Sequence, residues 1–212
     1  MKEPITHSVT LKGALLSFKV IAACSLLLLA SCGDDLKKEE ARKAPDYKIQ
    51  NGSQAGVVGI FDMPEMLTIC VADSSDAKDI AFHMAQDYTL LEEEAAAIGA
   101  ELDGKAPGVI NYNGDAKNLK FECFLLIRQV PARQPTRCRV VALEAGKMLV
   151  YNHYGSYSML HIAYDNIRRY CEAHSLKQNG PVRELYLSDA TEEKDQAKLL
   201  TRIILPVEVA LK

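Results

Sequence analysis

From Pro64 onward the chain runs through the same order of hydrophobic periods twice. Met66-Leu67-Thr68-Ile69-Cys70-Val71 and Met148-Leu149-Val150-Tyr151-Asn152-His153 are strand-like runs of apolar and β-branched residues. A helical stripe follows each one: Met84, Tyr88, Leu91 and Ala95 in the first copy, Leu160, Tyr164, Ile167 and Cys171 in the second. Both stripes are spaced i, i+4, i+7, i+11, which puts their members on one face of a helix. Each helical pattern reads as stopping before a glycine, Gly104 and Gly180. A strand then opens on proline, Pro107 to Tyr112 and Pro181 to Tyr186, and closes on a turn containing Asp115 or Asp189. Phe121 to Ile127 and Thr201 to Val207 end the two units as apolar strands.

The repeating unit is therefore strand, helix, strand, strand, and the length differences between copies fall in loops, where insertions cost little closure entropy. One such unit is too small to cover its own sheet. The expected fold is α+β: two pseudo-symmetric strand-helix-strand-strand repeats, about 58–128 and about 138–208, form a mostly antiparallel sheet with both helices on one face and a ligand groove on the other. The whole domain is expected to span 58–212.

Upstream the pattern changes. Val20 to Ala30 is an unbroken apolar run behind a leader whose only charges are Lys2, Glu3, Lys12 and Lys19. It is too short to cross a hydrocarbon core of roughly 30 Å as a helix, so it reads as the apolar region of a secretory signal. The run ends in Leu29-Ala30-Ser31-Cys32, which resembles a bacterial lipobox. That resemblance implies a lipoprotein signal peptide over 1–31, cleavage before Cys32 and lipidation of its sulfur. Residues 32–57 would follow as lipidated cysteine and tether, because the alternately charged stretch Gly33 to Lys43 is too poor in large apolar residues to order itself by burial. The implied address is the cell envelope of a bacterium, lipid-anchored in the outer membrane and facing either the periplasm or the surface.

Composition narrows the chemistry further. Charges of both signs are interspersed, the formal net charge is only −3, and 48% of residues are hydrophobic. The chain should fold, and neither a basic patch nor a DNA-binding segment points to a nucleic-acid partner. Cys70, Cys123, Cys138 and Cys171 remain downstream of Cys32. Their pairing is open, and buried free thiols fit the apolar patterns around Cys70, Cys123 and Cys171 equally well. With no CxxC and no clustered histidines, no metal and no cofactor is expected.

The second copy carries a more specific set of residues: Ala145-Gly146, His153-x-Gly155-x-Tyr157, Leu160, Ala163-Tyr164, Gly180, Glu184-x-Tyr186, Thr201-x-Ile203 and Pro206-Val207. It resembles the GyrI-like small-molecule-binding domain, which is also the effector-binding domain of multidrug-responsive regulators. The likeness is close over Val140 to Val207 and only topological over Val58 to Ile127. It implies two halves enclosing a pocket lined by aromatics and floored by a glutamate, with a small, partly aromatic molecule as partner.

Glu184 is the residue to test against that implication. On a strand, Val182, Glu184 and Tyr186 point one way, while Arg183, Leu185 and Leu187 point the other. If the leucines lie beneath the helices, Glu184 and Tyr186 project into the groove. There an acid binds a cation, or acts as a general base once burial raises its pKa. A competing reading makes Glu184 the cross-strand partner of Arg202 in a hairpin, an ion pair worth roughly 0.2–1 kcal/mol. Arg202 would also enter the pocket as a ligand contact and argue against a cationic ligand. In the first copy Ile110 aligns with Glu184, and Glu122 with Arg202.

Tyr88 and Tyr164 lie on core stripes and read as packing residues. Tyr112 and Tyr186, which close equivalent strands, and Tyr154 and Tyr157, which flank the strand-to-helix turn, are the candidates for stacking a planar ligand. His153 reads as a structural hydrogen-bonding residue of that turn. The function expected from these residues is an anchored small-molecule-binding module. The first alternative is a hydrolase of strained or electrophilic molecules, with Glu184 as the catalytic acid or base beside Tyr186 or Tyr112. The second is a protein-interaction module in the envelope.

Overall fold

The computed structural model describes residues 56–112 and 117–209. The leader, Cys32 and the tether, like the turn at Asp115, lie outside the described residues. Nine strands and two α-helices follow in the order β1 (Gly56–Met63), β2 (Met66–Ser75), α1 (Ile80–Ile98), β3 (Leu102–Asn111), β4 (Leu119–Ile127), β5 (Arg139–Leu143), β6 (Gly146–Tyr154), α2 (Leu160–Ala173), β7 (Leu176–Gln178), β8 (Val182–Tyr186) and β9 (Leu200–Val209). The fold is α+β, with β2-α1-β3-β4 and β6-α2-β8-β9 as its two units. Neighbouring strands are antiparallel in the order β1-β6-β9-β8-β3-β4-β2-β5, and the short β7 pairs with β9.

Two features go beyond the predicted repeat. Each unit gains an edge strand from the other: β1 runs into β2 but pairs with β6, whereas β5 runs into β6 but pairs with β2. The first helix also stops earlier than expected. Gly99, at φ 70°, takes the left-handed C-terminal position, and its N–H bonds the Ala96 carbonyl at 3.2 Å. Gly104, read as the stop, instead lies inside β3.

Both faces of the sheet are buried. On the helix side Leu91 and Ala95 of α1 pack on Ile69, Val109, Cys123 and Leu125. Ala163 and Ile167 of α2 pack on Leu149, Tyr151, Ile203 and Leu205. The other face has no helix, yet Cys70, Ile110, Phe124, Leu143, Met148, Leu185 and Ile204 form a buried cluster on it. The two-residue connections Pro64-Glu65 and Glu144-Ala145 join strands at opposite ends of the hydrogen-bonded order, so the sheet must curl until its far face closes on itself. That inner face is packed core, not the open ligand groove expected there. The unbroken buried run Phe121 to Leu125 in β4 reflects this two-sided cover.

Glu94 of α1 fastens the excursion between β4 and β5. It accepts hydrogen bonds from Arg137 Nε at 2.8 Å and Thr136 N at 2.7 Å. The Arg137 guanidinium, helped by the Thr136 N–H, holds its pKa down to about 2.

Candidate functional site

Register decides which way the central carboxylate points. Glu184 stands opposite Val109 on β3 and Ile203 on β9. Cross-strand partners share a face, and both partners belong to the helix-side core, so Glu184 faces the furrow between α1 and α2. The assignment of Leu185 to the helix side is reversed, since it lies in the inner cluster. Alternation finds two faces but cannot rank them when both are apolar.

The same one-residue slip removes the predicted ion pair. Arg202 stands opposite Leu185, not Glu184, and its Nε donates to Asn152 Oδ1 at 3.0 Å on the inner face. The objection to a cationic ligand falls with it.

Three elements converge on Glu184. Asn111 Nδ2, at the end of β3, donates to Oε1 at 2.8 Å. The Tyr164 hydroxyl of α2 donates to the same oxygen, and the Tyr186 hydroxyl of β8 reaches Oε2 at 2.8 Å. All three donors are neutral, and among the described residues no lysine or arginine forms an ion pair with this carboxylate. Glu184 is 4% exposed. Burial pushes its pKa up, against the pull of the three hydrogen bonds and of nearby His153.

Tyr164 and Asn111 are the residues that sequence reasoning missed. Tyr164 lies on a core stripe as expected, but its hydroxyl tip is a carboxylate partner. The available signal was that a tyrosine on a buried stripe needs somewhere to put its O–H. Asn111 was hidden by the repeat alignment, which set Ile110 against Glu184. Val109 is the residue that pairs with Glu184, and this brings Asn111 onto the same face.

Tyr157 meets Tyr186 edge to face, with ring centroids 5.2 Å apart, and stays partly open to solvent. His153 is buried, its Nε2 lies 3.2 Å from the Ser156 carbonyl oxygen, and it ties the turn before α2. Glu184, Asn111 and Tyr164 line a cleft of about 370 Å³ together with Ile80, Leu119, Phe121 and Val182, while Tyr186 and Tyr157 stand behind the carboxylate outside that lining. Glu184, Tyr186 and Tyr157 are thus brought together. Tyr112 also lines the cleft, and burial, together with the nearby Glu122 carboxylate, pushes its phenol pKa up. Tyr154 pairs with Leu200 and shares the inner face with Arg202.

The four described cysteines are free thiols. Burial pushes Cys138 up to about 11 and Cys123 higher still, so neither offers a thiolate nucleophile at neutral pH. Among the described residues no group of three His, Cys, Asp or Glu converges on a metal position. What the cleft offers is a buried acid, the Tyr164 hydroxyl in contact with it, and mixed walls in which Ile80, Leu119, Phe121 and Val182 alternate with Lys120 and Gln178. That arrangement suits charge-selective binding, or proton transfer between an acid and a phenol.

The family described as GyrI-like small molecule binding domain matches residues 85–208, more than half of the chain. No curated protein sequence matches it. Among solved structures, the C-terminal domain of EcmrR is 19% identical over 73% of this chain and 97% of that domain, with a TM-score of 0.63. EcmrR in its DNA complex is 20% identical over 73% of this chain with a TM-score of 0.63, and the chain spans only 57% of that protein's length. A hydrolase from Listeria innocua is 17% identical over 71% of this chain and 91% of its own, with a TM-score of 0.56. At these identities the likeness is one of fold.

Proposed function

The chain belongs to the GyrI-like small-molecule-binding domain family, and from that premise we propose that it is a membrane-anchored extracytoplasmic receptor for a small, partly aromatic molecule bearing a positive charge. The observation that carries this reading is the Glu184 carboxylate, buried at the floor of a cleft and held by neutral donors alone. Such a group is costly to leave ionised, and a cation entering the cleft would relieve that cost. Tyr164 and Tyr112 supply aromatic surface in the cleft itself, and Tyr186, braced edge to face by Tyr157, backs the carboxylate. The anchor rests on Leu29-Ala30-Ser31-Cys32 and the charged stretch behind it.

Titration calorimetry with aromatic cations on the full chain tests the receptor. Binding should occur and weaken in Glu184→Gln, and affinities left unchanged by that substitution would overturn the proposal. For the anchor, Cys32→Ser should move the protein from the membrane fraction to the soluble fraction of cells. The contact of Tyr186 and Tyr164 with one raised-pKa acid also favours a second reading, hydrolysis of a strained electrophile. Turnover seen by mass spectrometry and lost in Glu184→Gln would select it.

A further inference from the structure

A second cavity, of about 450 Å³, opens along α2 and does not include Glu184 in its lining. Its floor is apolar: Ile167 and Cys171 of α2, Leu176 of β7, and Ile203 and Leu205 of β9. Charges stand at its rim only. Arg168 there is engaged by Glu172 at 2.9 Å and Asp165 at 3.5 Å, and Lys177 reaches Glu208 at 4.0 Å. Nothing in the slot asks for a polar ligand, and its volume lies in the range of small-molecule sites.

The slot adjoins the carboxylate cleft. Tyr164, Gln178 and Val182 line both, so the two cavities are neighbours on either side of the tyrosine whose hydroxyl bonds Glu184. A ligand with its charge at Glu184 therefore has a largely apolar cavity next to it along α2. We infer that the slot is a tail subsite, which takes the unbranched apolar chain of a ligand whose cationic head sits at Glu184, the chain passing Tyr164 to lie against Ile167, Cys171 and Leu205. This deepens the receptor reading and rests on it. Tyr164 becomes the residue between head and tail, with its hydroxyl on one side and its ring on the other.

The test uses the full chain with tetramethylammonium and with hexyl-, octyl-, decyl- and dodecyltrimethylammonium, each below its micelle concentration. Affinity should rise roughly three- to fourfold per methylene, the gain for moving one CH₂ out of water. Cys171 faces the slot as a free thiol, so its alkylation by N-ethylmaleimide, followed by peptide mass mapping, is a direct occupancy readout. The dodecyl ligand should slow it at least about tenfold, an occupied slot leaving the thiol reachable only in the unbound fraction. Cys171→Trp should flatten the chain-length series while leaving the hexyl affinity in place, and Glu184→Gln should weaken every member.

Glu184-dependent binding with no chain-length gain, or with Cys171 still freely alkylated, overturns the tail subsite and leaves the receptor reading standing. A chain-length gain that survives Cys171→Trp also overturns it. Failure of every member to bind overturns the tail subsite, and the receptor reading is then decided by the aromatic cations. If Cys171→Trp does not fold, the alkylation of the unsubstituted chain still decides.

Discussion

Two tyrosines on matching stripes of the two helices have different partners. Tyr88 of α1 donates its hydroxyl to the Gly108 carbonyl oxygen at 3.0 Å, so the first half closes on its own backbone. Tyr164 of α2 donates to the Glu184 carboxylate. The residue across the central strand pair from Glu184 is Val109. Around that pair, Gly108–Leu185 on one side is related to Ile110–Arg183 on the other, so the halves differ on the inner face as well. A duplicated scaffold has become an asymmetric receptor through one carboxylate at the centre of the sheet. The donors that make its burial tolerable come from both halves, Asn111 from the first and Tyr164 and Tyr186 from the second.

Removing that carboxylate gives the largest effect. Glu184→Gln should lower cation affinity at least tenfold, since hydrogen bonds and contacts to a charged group contribute ~1.5–3 kcal/mol. Glu184→Val copies the first half but strands three donors. It should cost at least ~1–3 kcal/mol in urea unfolding even though valine is the more apolar residue. A Val variant as stable as the parent would mean that the donors find other partners.

The two variants also fix the sign of a pH effect. Burial raises the folded pKa of Glu184, so the native state holds this proton more tightly than the unfolded chain does. Its contribution is most favourable below the ordinary glutamate range near ~4.3 and is lost as pH rises through the folded value. The stability of the parent relative to Glu184→Gln should therefore fall from acid to neutral pH. A gap that stays constant across that range would contradict the buried, raised acid. Tyr164→Phe sharpens the same point by removing one donor to the ionised form. It should push the acid limb of cation binding to higher pH.

Gly108 separates the halves on the inner face, and its substitution ranks next. A Cβ at this position would come within 2.2 Å of the Phe124 ring, which is fully buried. Gly108→Ala should destabilise by ~1–3 kcal/mol through overpacking, measured as a lower urea midpoint with an unchanged slope. Cation affinity should hold, because the clash lies on the face away from Glu184.

How much of this was legible in the chain depends on what each feature required. The two strand-helix-strand-strand units were legible because the helical stripes around Tyr88 and Tyr164 and the apolar runs between them repeat in order. Glu184, Tyr186 and Tyr157 were named from local pattern and resemblance, and they do converge. Facing was not legible. Leu185 is as apolar as a helix-side core residue, and only strand pairing reveals that the sheet curls and buries a second face. Once the hairpin was read one residue out of register, Arg202 followed onto the wrong side. Tyr112, aligned with Tyr186 through the same kind of slip in the repeat, does line the Glu184 cleft. The edge strands β1 and β5 escaped notice because their pairing is to the other unit, a non-local fact that no periodicity records.

The smallest effect belongs to the tyrosine of the first half. Tyr88→Phe removes one hydrogen bond between neutral partners, the phenol and the Gly108 carbonyl, and leaves the ring in the α1 core. Such a bond contributes ~0.5–1.5 kcal/mol net, so the urea midpoint should drop slightly and independently of pH between acid and neutral conditions. Cation affinity should stay within about twofold of the parent, since sub-kcal changes outside a site rarely propagate beyond that. Tyr164→Phe provides the contrast, because its lost partner changes charge across the same pH range and its cost must change with it. If Tyr88→Phe also weakened cation binding in a pH-dependent way, the first half would be electrostatically part of the site, and the asymmetry between the two tyrosines would be one of degree.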